Sequence, residues 1–133
     1  TDAPLPKLLF HATTRDATAA FLMVRPSYTF HTVETDDHGL VTEVKDITRS
    51  DIWINGGYFV MHRRIFEDME PGEELVTDVF SKLRAKKELT AYRYEGFWAP
   101  MDTLKEQQEL EAMVEAGGGP WRVWEQNGGS SGG

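Results

Sequence analysis

The chain contains no cysteine, which excludes disulfide bonds, zinc–thiolate sites and a thiol nucleophile together. It also lacks a basic surplus, because 14 lysine and arginine residues stand against 22 aspartate and glutamate residues, a formal net charge of −8. General binding to nucleic acid needs a basic face, so we expect no nucleic-acid partner. A phosphate ligand remains compatible with this balance, because one or two local cations or a metal ion can override the net charge.

Long hydrophobic runs are absent as well. No apolar run approaches membrane-spanning length, and Thr1–Pro4 does not resemble a signal peptide, so we expect a cytoplasmic protein with no membrane partner. The 133 residues are 40% hydrophobic and 27% charged, which is typical of one globular domain with its own core. The chain ends in NGGSSGG, so we assign residues 1–125 to the domain and residues 126–133 to a flexible linker or tail.

The hydrophobic patterns predict a mixed α/β arrangement of helices and strands. An amphipathic pattern favours a helix, a short apolar run between turn residues favours a buried strand, and the DDHG turn indicates a hairpin. The predicted elements, in chain order, are a helix over residues 4–13, a strand over 17–24, a hairpin of 28–34 and 40–45, a strand over 52–60, a helix over 73–86, a strand over 89–94 and a helix over 103–116.

Asp102 lies between an unusual connection and the start of a helix. The sequence YEGFWAPMDTLKE puts Phe97, Trp98 and Met101 on a connection, directly before Asp102 and the capping-box sequence TLKE. Because connections are usually polar, this composition indicates buried packing or a site. From the residues alone, Asp102 is either a helix cap or a magnesium ligand. One carboxylate seldom makes a metal site, so a second would have to come from elsewhere.

Asn55, Gly56 and Gly57 interrupt an otherwise apolar strand. One interpretation is an asparagine whose hydrogen bonds are satisfied internally beside a β-bulge. The other is a ligand contact, in which Asn55 binds a polar group such as a sugar and the glycines let the ligand approach the backbone. The residues leave both open. For Arg93, on the strand before the aromatic connection, we expect a charge pair across the sheet.

Several segments together resemble the sugar-1-phosphate nucleotidyltransferases, and within them the glucose-1-phosphate cytidylyltransferase branch. These segments are WINGGYFV (53–60), AYRYEGFW (91–98), PMDTLK (100–105) and PWRVW (120–124). Residues 4–26 also resemble the helix and strand that follow the family's central metal-binding aspartate motif, so the resemblance covers about residues 1–125. It implies the C-terminal, sugar-binding half of a Rossmann-like nucleotidyltransferase domain, with a partial mixed sheet flanked by helices.

The resemblance also implies a chemistry. The family transfers a nucleotidyl group from a nucleoside triphosphate, here CTP, to a sugar 1-phosphate, here glucose 1-phosphate, and releases pyrophosphate. The attack on the α-phosphorus is in line, so the protein mainly positions reactants and offsets charge. The resemblance assigns Asp102 to catalysis as a ligand of Mg²⁺. It assigns substrate binding to Asn55, Gly56, Asp46 and Trp98, with the aromatic connection enclosing Asp102 in a partly dry cavity.

Two departures from the family pattern carry expectations of their own. The family has a Glu-Lys-Pro segment whose acid and lysine hold the sugar phosphate, whereas this chain has Asp46-Ile47-Thr48, with Lys45 and Arg49 as nearby cations. The family's glycine-rich nucleotide loop and first metal aspartate are also missing from this sequence. We therefore expect activity only with a complementary N-terminal half, and we expect the chain to pair with such a half or with a second copy of itself. The alternatives are an inactive sugar-phosphate-binding module and a structural fragment.

Overall fold

The computed structural model describes residues 1–126, so all of the predicted tail at 126–133 except Gln126 lies outside the described residues. The chain divides into two compact units. One unit is Leu5–Tyr94, and the other combines Thr1–Pro4 with the chain from Glu95 onward. The assignment of residues 1–125 to one domain therefore stays a prediction. Within the described residues, no helix is both long enough and apolar enough to cross a membrane.

The Leu5–Tyr94 unit contains the mixed α/β arrangement that the sequence predicts. Two short turns of helix accompany its regular elements, a 3₁₀ turn at Ile47–Arg49 and a π-helical turn at Leu75–Val79. The regular elements are α1 (Leu5–Thr14), β1 (Ala19–Val24), β2 (His31–Thr35), β3 (Val41–Asp46), β4 (Ile54–Met61), α2 (Ile65–Asp68), α3 (Phe80–Ala85) and β5 (Leu89–Tyr94).

The main sheet has three strands in the order β4-β1-β5. Strand β1 pairs antiparallel with β4 and parallel with β5, so the sheet is mixed. Strands β2 and β3 form a separate antiparallel hairpin, as their turn sequence predicts. The expected fold class, a mixed sheet with helices against it, is confirmed.

The core explains why β1 is apolar along its whole length. On one face Ala20 packs with Leu8 and Ala12 of α1. On the other face Ala19 packs with Leu83 of α3 and with Val79. A central strand covered on both faces reads as a continuous hydrophobic run, here AAFLMV, because neither face meets solvent.

The helix predicted over residues 73–86 differs from the observed one at its start. It begins as the π-helical turn and becomes α-helical only at Phe80. The Asp78 carboxylate accepts a hydrogen bond from the Glu74 N–H at 2.8 Å, and the Val79 N–H donates to the Glu74 carbonyl at 3.2 Å. The local side-chain bond therefore accompanies a wider first turn, which apolar periodicity alone does not predict.

The second unit contains α4 (Leu104–Glu115) and α5 (Val123–Gln126). The first of these matches the helix predicted over residues 103–116, and it ends where Gly117 adopts a φ of 78°. The Phe97 ring packs against Trp121 with centroids 5.6 Å apart, and the Phe97 carbonyl accepts a hydrogen bond from the Thr1 hydroxyl at 2.6 Å. The aromatic connection therefore serves partly as packing for this unit.

We predict that Leu83→Ala lowers the free energy of unfolding by about 2 to 5 kcal/mol. Leu83 is 0% exposed and lies in the cluster under the sheet, so truncation removes buried apolar surface and leaves a cavity. The matched control is Leu40→Ala, because Leu40 is 69% exposed in the hairpin. Urea denaturation of both variants measures the difference. Equal losses in the two variants would contradict this assignment of the core.

Candidate functional site

The candidate site lies at one end of the main sheet. Strands β1 and β5 are parallel, so their carboxyl ends, at Val24 and Tyr94, meet at the same edge. Strand β4 runs the other way and begins there. Asn55 of β4, Met23 of β1 and Arg93 of β5 form one row of register partners at this end. In open α/β sheets, ligands bind outside the carboxyl ends of the strands, so this row occupies the usual position of a site.

A bulge in β4 shapes this row. Phe21 pairs with Phe59, whereas Met23 pairs with Asn55, so β4 carries extra residues between its two points of pairing. The Gly-Gly step falls within this irregularity. The bulge that the sequence offers as one interpretation of Asn55 is thus present, and it turns local backbone of β4 out of the hydrogen-bond ladder.

Two glycines make the bulge possible for different reasons. A Cβ on Gly56 would lie 3.1 Å from the Leu22 carbonyl oxygen and 3.2 Å from a Val24 methyl carbon, closer than a side chain tolerates without movement. Gly57 has a φ of 80° and open space around its missing Cβ. Gly56 therefore allows β4 to pass close over β1, and Gly57 allows the chain to turn back into the strand.

Asn55 is exposed, and its side chain is partly committed. Its Oδ1 accepts a hydrogen bond from the Gly57 N–H at 2.8 Å. Its Nδ2 has no hydrogen-bond partner among the described residues. The amide oxygen therefore holds the side chain in place, while the amide nitrogen keeps two N–H donors for a ligand. An internally bonded asparagine beside a bulge and a ligand contact are thus compatible interpretations of Asn55.

Asp46 has a clear local role at the end of β3. Its Oδ1 accepts hydrogen bonds from the Thr48 hydroxyl at 2.8 Å and from the Thr48 N–H at 2.9 Å, which caps the 3₁₀ turn. The Thr48 hydroxyl and N–H bonds lower the pKa of the Asp46 carboxyl from its ordinary value. Asp46 is thus a fixed carboxylate at neutral pH, and its assignment to sugar binding stays a prediction.

Lys45 and Arg49, the cations nearest in sequence to the position of the missing family lysine, do not lie in the Asn55 row. Lys45 Nζ lies 2.7 Å from Glu43 Oε2, and this hydrogen bond raises the pKa of the Lys45 ammonium. Arg49 is exposed at the end of the 3₁₀ turn. Neither belongs to the row of register partners that contains Asn55.

Sequence reasoning missed a cluster of two arginines around one indole. The guanidinium carbon of Arg25 lies 4.5 Å from the centroid of the Trp53 ring, and that of Arg93 lies 5.5 Å from it. Arg93 was expected to pair with a charge, but it makes no ion pair within the described residues and lies over the indole instead. The available signal was spacing, since Arg25 and Trp53 are each two residues from a member of the Asn55 row.

Asp102, in the second unit, directly precedes α4. The N-cap of α4 is Thr103, whose hydroxyl accepts a hydrogen bond from the Glu106 N–H at 3.2 Å. Glu106 Oε2 in turn accepts from the N–H groups of Thr103 and Asp102 at 3.0 and 2.8 Å. The capping box is confirmed, and the interpretation of Asp102 itself as the cap is wrong, because Thr103 already fills that position.

The expected enclosure around Asp102 is not formed by its own unit. Phe97 and Trp98 are half-buried, but Met101 is 63% exposed and Asp102 is exposed. The aromatic residues pack inward while the end of the connection faces solvent. The unit from Glu95 onward therefore does not enclose Asp102 by itself, and the partly dry cavity stays a prediction.

A metal site receives limited support from the described residues. In residues 1–126, no group of three or more histidine, aspartate or glutamate side chains is placed to hold a metal ion. The Asp102 carboxylate has no hydrogen-bond partner in the same range, and its backbone is fixed by Glu106. It fits a hard cation that keeps several water ligands, as one ligand of a set that needs another acid.

Comparison with known proteins agrees with the resemblance to sugar-1-phosphate nucleotidyltransferases. No protein-family model matches the chain. A probable glucose-1-phosphate cytidylyltransferase of Bacillus subtilis is 33% identical over 119 residues, which are 88% of this chain and 46% of that protein. The glucose-1-phosphate cytidylyltransferase of Salmonella typhimurium is 37% identical over 78 residues, 54% of this chain and 28% of that protein. The chain is homologous to glucose-1-phosphate cytidylyltransferases over part of their length.

The matched region is only part of each cytidylyltransferase. The chain spans less than half the length of the curated relatives it matches. Among solved structures, a Bacillus anthracis protein assigned as a glucose-1-phosphate thymidylyltransferase, crystallised in complex with sucrose, superposes with a TM-score of 0.57. That match has 13% identity and covers 84% of this chain and 49% of the other. At this identity it supports the nucleotidyltransferase-like fold alone.

We predict that Thr103→Ala and Asp102→Ala have different effects on the free energy of unfolding, because Thr103 caps α4 and Asp102 does not. Thr103→Ala removes the acceptor of the first-turn N–H and lowers the free energy of unfolding by about 1 kcal/mol. Asp102→Ala changes it by less than about 0.5 kcal/mol, since the Asp102 carboxylate bonds no described residue. Chemical denaturation measures both. A larger loss for Asp102→Ala than for Thr103→Ala would return Asp102 to a structural role.

Proposed function

We propose that this chain supplies the sugar-1-phosphate-binding part of a nucleotidyltransferase. The reaction transfers a nucleotidyl group from CTP to glucose 1-phosphate and releases pyrophosphate, as the names of the homologous proteins suggest. The observation that supports it most is the Asn55 row, because a bulged strand with a ligand-ready amide lies at the carboxyl ends of two parallel strands. A reaction that consumes a nucleoside triphosphate also accords with a cytoplasmic location.

In this proposal, the β4 bulge binds the sugar. The two N–H groups on Asn55 Nδ2 donate to a sugar hydroxyl, while the bond from Gly57 keeps the amide oriented. The absence of side chains at Gly56 and Gly57 lets the sugar ring come close to the backbone. Asp46, ionised and held by Thr48, accepts from a second hydroxyl.

The same proposal assigns Asp102 to Mg²⁺. Asp102 would be one of the residues that hold the ion, and the ion, when bound, would offset the negative charge of the phosphates. The contribution of this chain is one carboxylate whose main chain is tied down by Glu106 and whose oxygens remain available. A second acid from outside the described residues would complete the set. This fits the in-line reaction, in which a sugar phosphate oxygen bonds to the α-phosphorus as the bond to the leaving pyrophosphate breaks.

We also include in the proposal a partner chain, either a complementary N-terminal half or a second copy. Helix α1 supports it, because Leu5, Leu9 and Phe10 are each about half exposed or more. Large apolar side chains clustered on one exposed helix mark an interaction surface. The alternative is a sugar-phosphate-binding module without turnover, which is favoured by the lack of a three-ligand metal cluster within residues 1–126.

The experiment that tests the proposal is a chimera. This chain replaces the matching segment of the Bacillus subtilis relative, and pyrophosphate release is assayed with CTP, glucose 1-phosphate and magnesium. We predict turnover in the chimera and a loss of roughly a hundredfold or more in kcat for Asp102→Asn, because the variant removes a charge that holds the metal. The matched control is Glu109→Gln, which neutralises an exposed acid on α4 and leaves turnover unchanged.

The results of the chimera experiment distinguish a transferase, a binding module and a structural fragment. Unchanged turnover in Asp102→Asn would contradict its role as a metal ligand. A folded chimera with no turnover that still binds glucose 1-phosphate would contradict the transferase proposal and favour the binding module. A folded chimera that neither turns over nor binds the sugar phosphate would contradict both and favour a structural fragment.

A further inference from the structure

The Arg25–Trp53–Arg93 cluster, defined by the two guanidinium groups and the indole between them, is built from three separate segments. Arg25 follows the last residue of β1, Trp53 precedes the first residue of β4, and Arg93 lies within β5. Both guanidinium carbons lie within 5.5 Å of the Trp53 ring centroid. Three segments thus deliver two cations to one aromatic side chain.

The cluster faces the same side of the sheet as the candidate sugar contact. Register partners in neighbouring strands point to the same face, so Arg93, Met23 and Asn55 share a face. Side chains two positions along an extended chain return to that face, which places Arg25 and Trp53 beside them. The cluster and Asn55 are therefore neighbours at the carboxyl ends of β1 and β5.

The two arginines of this cluster have different surroundings. Arg25 donates a hydrogen bond to the Ser50 carbonyl at 2.8 Å, and the Asp51 carboxylate lies 4.0 Å away with its side chain 88% exposed. Arg93 is exposed and makes no ion pair within the described residues. Two cations near one ring repel each other, so an anion bound there relieves that repulsion. This stands out in a chain with a net charge of −8.

The chemistry of a guanidinium held over an indole favours a phosphate ester as that anion. The cation–π contact engages the charge of the guanidinium with the ring and does not use its N–H groups as hydrogen-bond donors. A phosphate can accept two parallel N–H bonds from one guanidinium, and the contact with the indole helps to orient the guanidinium before the ligand binds. Lysine would bring the same charge without the fixed fork.

We propose that Arg93, assisted by Arg25 and oriented by Trp53, binds the phosphate group of the sugar 1-phosphate whose sugar contacts Asn55. The inference rests on the proposed function and names the phosphate-binding residues within it. Arg93 and Arg25 thereby fill the role left by the lysine that the Asp46-Ile47-Thr48 segment lacks.

The test uses the full 133-residue chain and two ligands, glucose 1-phosphate followed by calorimetry and inorganic phosphate followed by phosphorus NMR line broadening. Arg93→Gln is expected to weaken binding of both ligands about tenfold or more, because a charge-assisted bond is lost. Arg93→Lys restores part of it. Raising the salt concentration weakens binding to the native chain more than to Arg93→Gln.

Two control variants sharpen the test. Arg49→Gln removes the same charge from the nearby 3₁₀ turn and is expected to leave both affinities unchanged. Asn55→Ala is expected to weaken glucose 1-phosphate binding and to leave inorganic phosphate binding unchanged, because the Asn55 side chain contacts only the sugar in this proposal. Thermal unfolding followed by circular dichroism establishes that each variant is folded.

Each result decides the inference. If Arg93→Gln binds both ligands as tightly as the native chain, or Arg49→Gln loses as much, the phosphate subsite is overturned while the proposed function stands. If the native chain binds inorganic phosphate through Arg93 but not glucose 1-phosphate, the subsite stands and the proposed sugar-phosphate function fails. If the native chain binds neither ligand, both fail.

Discussion

The close approach of Gly56 to β1 is the contact on which the candidate site depends. A Cβ at this position would meet the Leu22 carbonyl oxygen at 3.1 Å, so the bulge needs glycine. Because β4 bulges here and then regains its pairing, Asn55 comes to lie opposite Met23 and in line with Arg93. A regular strand continued from the Phe21–Phe59 pair would place Asn55 opposite Arg25 instead of Met23, two positions out of this row.

Beside that contact lie side chains with different physical roles. The amide of Asn55 is anchored by one hydrogen bond and keeps its donors. The Arg25–Trp53–Arg93 cluster concentrates positive charge in an otherwise acidic chain. Most of these groups are fixed by contacts inside the Leu5–Tyr94 unit, so they are ordered before any ligand binds, which lowers the entropic cost of binding.

The sequence predicted best the features that depend on neighbouring residues. The hairpin followed from its turn residues, the α4 start followed from the TLKE capping box, and β1 followed from its short apolar run. The bulge was one of two interpretations because paired glycines in a strand have few other uses. Homology to glucose-1-phosphate cytidylyltransferases over part of their length confirms the resemblance that the sequence motifs indicated.

Features that depend on distant segments were not predicted. Arg25 and Arg93 meet at Trp53 only because β1 is central and has β4 and β5 on its two sides, an order that the residue pattern does not specify. The role of Asp102 is a different case, because the capping box is a local contact in which Thr103 fills the cap position that the sequence had also offered to Asp102. The exposure of Met101 was not predicted either, because an apolar composition does not say which side chains of a connection turn inward.

The most direct test of the account is an amide NMR titration of the chain with glucose 1-phosphate, with glucose 6-phosphate as the comparison ligand. The account predicts saturable shifts of the Gly56 and Gly57 amides together with the Arg93 amide, at lower concentrations for the 1-phosphate. Saturable shifts confined to other parts of the chain, with these three amides unmoved, would contradict it.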